Sequence, residues 1–276
     1  MHIVASLALM ALVAGGDRSL DDTSQLSRWY QSVGRPLPHE GFGEFLSRVA
    51  RTRVDTPYDH SPEMGAEETL RAGLQRFECV SFIESSLGVA RCAWRGQSTE
   101  GCFVWELLGL RYRSGMMSNY ASRLHYFVDW LADNQGRWRL RNVTTGLGGT
   151  PVTSNFFYLT RRAAMIPALS SPDARKAIAD VEARLSSQSQ VVVGRNRIGQ
   201  AAAGLRDGDI VAITGNKPGR LVTHAGFVSR SEEGIAHLVH ASSYHDRVVI
   251  TREDVSNYVL RRPERRGLII ARPLAP

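Results

Sequence analysis

From Gly204 onward the chain reads as a run of short strands, and this stretch limits its folds more than any other. The segments "DIVAIT" (209–214), "THAGFVS" (223–229), "AHLVHAS" (236–242), "RVVIT" (247–251) and "GLIIARP" (267–273) are separated by turn chemistry at 215–219, 231–234 and 244–246. That spacing predicts an antiparallel meander. Ahead of it the pattern is helical. Helices are expected over 24–32, over "GFGEFLSRVART" with Phe42, Phe45, Leu46 and Val49 on one face, and over 78–94, where Val80, Phe82, Ile83, Leu87, Ala90 and Cys92 recur at helical spacing. Two more are expected over 118–134, with Ser118 as N-cap and Gly136 as a stop, and over 172–186, opened by Ser171-Pro172. Helices first and a sheet afterwards is an α+β arrangement rather than alternating βαβ units.

The chain has 276 residues, enough for a sizeable core. It opens with "MHIVASLALMALVAGG", which carries no charge from Ile3 to Ala14. Such a run suits the apolar core of an export signal and falls short of the ~20 apolar residues of a membrane span. The expected organisation is a signal peptide over 1–16, a polar extension over 17–40, and one large domain over 41–276 with a helical insert at about 103–190. The expected location is the periplasm or the exterior. No lipobox cysteine follows, and no segment of the mature chain is expected to be integral to a membrane.

Lys+Arg number 34 against Asp+Glu 27, a formal charge of +7, and nearly all the cations are arginines. A basic surface suits nucleic acid or an anionic polymer. No basic stripe interleaved with aromatics, no zinc-finger spacing and no glycine-rich phosphate loop accompanies it, so a nucleic-acid partner is not expected. The groups Arg111/Arg113, Arg137/Arg139/Arg141 and Arg261/Arg262/Arg265/Arg266 read as solvated faces. The sharper alternative is attraction to an anionic cell envelope.

There are three cysteines. Cys92 and Cys102, across "RGQSTEG", can pair or can equally be buried free thiols; pairing leaves Cys79 as the lone thiol. Cys79 sits in "RFECVSF", in the first turn of a predicted helix. A helix N-terminus and a neighbouring imidazole are two devices that lower a thiol's pKa and activate it as a nucleophile. Of eight histidines, His224 starts one predicted strand and His240 ends the next. They are one hairpin apart and can be cross-strand neighbours, with His224 as base and His240 holding its far ring nitrogen. A Cys/His/His zinc site is the competing use of the same residues. The chain lacks the close-spaced ligand pairs that usually build one, so neither metal nor other cofactor is expected.

The ordered segments "PYDHSPEMGAEETLRAGLQRFECVSFIESSLGVA", "GDIVAIT", "THAGFVS" and "HLVHASS" resemble the NlpC-type cysteine peptidases, a papain-like group that cuts amide bonds in peptidoglycan. The closer resemblance is to the N-acetylmuramoyl-L-alanine amidase-like branch, which also has an insert similar to "YASRLHYFVDWLADN". It runs from about residue 40 to 273. It implies a papain-like fold, with N-terminal helices carrying the cysteine against a C-terminal antiparallel sheet. Cys79 is then the nucleophile, His224 the general base and His240 the orienting residue, with Tyr58 beside the thiol and the oxyanion. Glu78 stands where the group has Asp, and Ser81 where the branch has Thr. In the endopeptidases of the group that Asp and a nearby Ser grip a free amine, so Glu78 puts the position of the cut in question. Ser122, Arg123 and Tyr126 of the insert, with His125, are candidates to contact sugar or stem peptide; packing is the equal alternative for His125 and Tyr126. The implied activity is cleavage of the muramic lactyl to L-alanine amide in a muropeptide. The alternatives are a γ-D-glutamyl-diamino acid endopeptidase, a silent muropeptide-binding module and a thiol acyltransferase.

Overall fold

The structure is a computed structural model and describes residues 18–20, 23–60 and 65–276; the expected signal peptide lies outside them. β1 (Arg18–Leu20), α1 (Thr23–Val33), α2 (Phe42–Arg51) and β2 (Leu70–Ala72) come first, with β1 and β2 paired in parallel. Leu26, Trp29, Tyr30 and Val33 of α1 are buried. They recur at the three- and four-residue spacing of an apolar helical stripe, so α1 is part of the main core. The carboxylate of Glu44 in α2 accepts from the Gly41 amide at 2.8 Å, while Arg48 and Arg51 occupy the last turn. Both placements suit the helix dipole.

α3 (Cys79–Trp94) is the central helix, buried on every face from Phe82 to Ala93. α4 (Glu100–Arg111), capped by Thr99, lies beside it. The Cys92–Cys102 disulfide joins the two helices, and Cys79 is the free cysteine among the described residues. Gly88 permits this approach, because a Cβ there would lie 3.2 Å from the Phe103 ring.

The next helix corrects the expectation of one over 118–134. Asn119 caps a single 3-10 turn at Tyr120–Ser122, and Arg123 and Tyr126 are extended. Arg123 pairs with Tyr112 as an isolated β-bridge, and the Leu124 amide donates to Arg111 O at 2.9 Å. The backbone is thus tied to α4 and α5 begins late (Phe127–Gly136). The segment at about 103–190 is mostly helical but also supplies β3 (Leu140–Asn142) and β4 (Thr150–Val152), before α6 (Pro172–Ser186).

β5 (Gln190–Gly194), α7 (Ile198–Ala203), β6 (Ile210–Gly215), β7 (Val222–Arg230), β8 (Ala236–Ser242), β9 (Arg247–Asp254), α8 (Val255–Leu260) and β10 (Arg265–Pro273) complete the chain. The main sheet has the order β4-β5-β10-β6-β7-β8-β9, with β3 also on β10, and every pairing in it is antiparallel. β6 to β9 form the expected meander, within a mixed α+β fold. Ile210, Ala212, Ala225, Phe227, Val239 and Ala241 face the large helical core. Val211, Ile213, Val228, Leu238, Leu268 and Ile270 face a smaller core closed by α7 and α8. Both sheet faces are covered, which is why these strands are apolar almost throughout. Phe82 of α3 meets Phe227 of β7 edge-on at 5.6 Å, an arrangement contributing about 0.5–1.5 kcal/mol beyond burial.

Arg111 and Arg139, expected on solvated faces, are interior. Glu106 is fully buried and receives Arg91, Arg95 and Arg139. Arg111 binds Glu84 at 2.7 Å, and Asp129 holds Arg113 and Arg184. These pairs fasten the helical half from within. Among the described residues no helix is long and apolar enough to cross a membrane.

Candidate active site

Cys79 is the first residue of α3, and its placement follows from the cap before it. Glu78 is extended, with φ −91° and ψ 175°, and its carboxylate accepts from the Val80 and Ser81 amides at 2.9 and 2.6 Å. The Ser81 hydroxyl accepts in return from the Glu78 amide at 3.0 Å. This reciprocal cap fixes the first turn and holds the half-buried thiol, which donates to Glu78 Oε2 at 3.5 Å.

Opposite stands the beginning of β7. The β6–β7 register shifts between Ile213 and Thr214, leaving Thr223 as an extra residue just before His224. Such a bulge re-aims the side chain beside it. His224 Nε2 lies 2.7 Å from His240 Nδ1 across the hairpin. Gly226 makes room for this pair: a Cβ there would come within 2.7 Å of the His240 Cβ and the Val239 carbonyl. Two nitrogens at that distance share a proton. Among the described residues no group of three or more His, Cys, Asp or Glu is arranged to hold a metal.

Cys79 and His224 line one cleft of about 530 Å³, together with Tyr58, Arg123, Tyr158 and Arg220. Burial pushes the Cys79 thiol pKa up, and the Glu78 charge adds to this; the Ala225 amide and Arg220 oppose it without reversing it. The thiol is therefore not lowered by its helix terminus as the sequence suggested. Burial, with Arg265, brings His224 down to about 4, and burial with the nearby His224 holds His240 well below its usual range. At neutral pH the cleft presents a protonated thiol and a neutral imidazole. Tyr58 is pushed up to about 12 by burial and by Cys79 and Glu78, so its hydroxyl keeps its proton.

The cleft also takes in Glu78 and Tyr126. Both carboxylate oxygens of Glu78 are nonetheless engaged in the helix cap, and the buried Tyr126 hydroxyl donates to Glu182 at 2.5 Å. Ser81 lies in an adjoining pocket of about 450 Å³ that shares Glu78 and Arg123 with the cleft. Ser122 is outside both; its hydroxyl donates to Asn119 O at 2.6 Å. His125 lines the cleft and bonds Tyr120 O at 2.7 Å; burial, with Arg123, brings it down to about 3. Arg220 and Tyr158 are the residues the sequence reading missed. Arg220 and Arg162 each lie 4.4 Å from the Tyr158 ring centre, and Arg220 Nε is buried without a partner among the described residues. The available signal was position: Arg220 closes the turn that leads into the His224 strand.

A mixed α+β fold, with an antiparallel sheet against a buried helix whose first residue is a free cysteine, defines the architectural class. The sequence model described as N-acetylmuramoyl-L-alanine amidase-like matches residues 48–268, and the chain belongs to that family. It is similar to an N-acetylmuramoyl-L-alanine amidase from Bacteroides uniformis, with 26% identity over 84% of this chain and 98% of the other, and a TM-score of 0.77. It is also similar to a putative xylanase from Bacteroides fragilis, with 30% identity over 81% and 98% and a TM-score of 0.74. A Legionella pneumophila protein shares the fold at 16% identity, over 91% of this chain and 94% of the other, with a TM-score of 0.67. No curated protein matches the chain. At the level of the family, the chain is an amidase-like hydrolase.

Proposed function

We propose that this chain is a papain-like cysteine amidase that cleaves the bond between the muramic lactyl group and L-alanine in peptidoglycan fragments. The observation that carries the reading is the free Cys79 at the start of α3, in one cleft with His224, whose far nitrogen is held by His240 at 2.7 Å. His224 accepts the thiol proton as the sulfur attacks the amide carbonyl. Because thiol and imidazole both rest neutral, proton transfer accompanies attack. His240 orients the ring and accepts from His224 Nε2 as charge develops. The amides of Val80 and Ser81 are taken by Glu78, so the Cys79 amide and the Tyr58 hydroxyl serve the oxyanion. The proton passes to the leaving amine of L-alanine. Water then attacks the thioester, His224 takes a proton from it, and the lactyl carboxylate and free thiol are restored.

The endopeptidase alternative needs Glu78 and Ser81 to grip a free amine. Here they cap α3 together, which favours the amidase. The Cys92–Cys102 disulfide suits an oxidising compartment and supports export to the periplasm or the exterior. The test is digestion of defined muropeptides by the wild type and Cys79→Ala, read by mass spectrometry. Free muramyl sugar plus an intact stem peptide is expected from the wild type, with a loss on the order of 10⁴-fold or more in the variant. L-Ala-γ-D-Glu products would assign the endopeptidase instead. Unchanged turnover by Cys79→Ala would refute the thiol mechanism.

A further inference from the structure

Behind the catalytic pair lies a second pocket of about 690 Å³ that shares no lining residue with the cleft over Cys79. His240 forms part of its wall. One edge of that ring is accounted for, because Nδ1 meets His224. The other nitrogen, Nε2, is buried with no partner among the described residues, and the residue is 1% exposed.

The protons can be followed along the pair. A base that spends Nε2 on His240 must keep Nδ1 bare for the thiol, so the proton of neutral His224 sits on Nε2 and is donated to His240 Nδ1. Neutral His240 then carries its own proton on Nε2, and a buried N–H needs an acceptor. The pocket wall is lined by five arginines against two glutamates. One glutamate, Glu253, is taken by Arg261. The Arg265 guanidinium lies 3.9 Å over the Tyr258 ring, which itself lies 5.3 Å from the His240 ring. The acceptor that suits this positive lining is an anion.

We propose that this pocket binds a small oxyanion, a phosphate or a carboxylate, which accepts the His240 Nε2 proton and is held by Arg252, Arg262 and Arg265. The bound anion stabilises the positive charge that His224 acquires when it deprotonates Cys79, so occupancy raises thiol reactivity. That coupling rests on the amidase reading; the binding does not.

The test titrates inorganic phosphate into Cys79→Ala protein by calorimetry, at ionic strength held constant with chloride and with no muropeptide present. Saturable binding is expected, together with a shift of the His240 Nε2 proton resonance. A tenfold or greater weakening is expected in an Arg252→Gln/Arg262→Gln variant, two exposed positions whose change leaves the fold intact by thermal melt. Acetate in place of phosphate tells a carboxylate site from a phosphate site. Absence of binding for both anions, or equal binding by the double variant, overturns the site. In the wild type, alkylation of Cys79 by iodoacetamide is expected to rise several-fold with the binding anion and to stay flat in the double variant; a flat wild-type rate overturns the coupling.

Discussion

Glu106 in α4 and His240 in β8 are equally inaccessible, at 0% and 1% exposure, yet they meet burial in opposite ways. Burial would push Glu106 up, but Arg91 and Arg139 outweigh it and hold the carboxyl below its usual range. His240 has no countercharge, only another imidazole and Arg265, and it gives up its proton. The helical half repeats the first solution in Glu84–Arg111 and in Asp129 with Arg113 and Arg184. The sheet half around the site uses the second. A charged network locks geometry, whereas a neutral imidazole pair stays available to receive a proton. The division is local to the site, because elsewhere the sheet also uses a buried ion pair, Asp209 with Arg272 at 2.8 Å.

The largest expected effect comes from breaking the charged network. Glu106→Gln leaves three arginines without their counter-ion, and removing one partner of a buried ionic group costs about 3–5 kcal/mol. Urea unfolding should show a loss of that size; a loss below about 1 kcal/mol would mean that the arginines find water instead. The counterpart in the sheet is Gly226→Ala. Its new methyl meets the His240 Cβ and a backbone carbonyl, both at 2.7 Å. Overpacking of this kind costs about 1–3 kcal/mol. The distinguishing result is kinetic: kcat should fall further than stability explains at a temperature where the variant is fully folded. A variant with normal kcat would separate the His224–His240 contact from catalysis.

The same division decided what could be read in the sequence. The strands of the meander were legible because their faces are apolar and their turns carry Gly, Ser and Asp; 236–242 was placed at its observed bounds. Cys79 and His224 stand out in the sequence as candidates, and the fold brings both to the wall of one cleft. α4 was not foreseen, because its interior face includes Glu106 and Arg111, which read as surface. The helix over 118–134 was overextended, because its pattern holds at Leu124 and Tyr126 although a β-bridge keeps Arg123 extended. The burial that raises the Cys79 thiol, and the place of Arg220 beside it, are long-range facts with no local signature.

Acid titration sharpens the contrast next. His125 and His224 are brought down to about 3 and about 4, and His240 lies well below its usual range. Unfolded histidines titrate near 6.5. Between about pH 6.5 and 4 the unfolded chain therefore binds more protons than the folded one, so stability falls as pH falls. Each such histidine contributes a slope approaching about 1.4 kcal/mol per pH unit. Glu106 and Asp129, with lowered values, lose their contribution as pH falls from the ordinary carboxylate range through their own lower values, after most of the histidine effect has developed. Urea midpoints from pH 7 to 4.5 should thus decline mainly through the histidines, and His240→Asn should flatten the decline by one proton's share. An unchanged slope in that variant would show that His240 is already protonated in the fold. Amidase activity should fall over the lower part of this range as His224 gains its proton near pH 4.

The smallest effect separates a cleft wall from a substrate contact. Tyr126 lines the cleft, but its hydroxyl is turned away, onto Glu182. That carboxylate also accepts from the Leu159 and Thr160 amides and the Thr160 hydroxyl. Tyr126→Phe keeps the ring, which packs edge-on against Phe156 at 5.3 Å, and removes one bond from an acceptor that retains three. Such a loss is worth about 1 kcal/mol. Because the missing atom faces the helical network rather than the cleft, kcat and KM should stay within about twofold of the wild type. A rise in KM with stability unchanged would mean that the hydroxyl swings to meet the muropeptide, and would move Tyr126 from the charged, structural half of the molecule into the site.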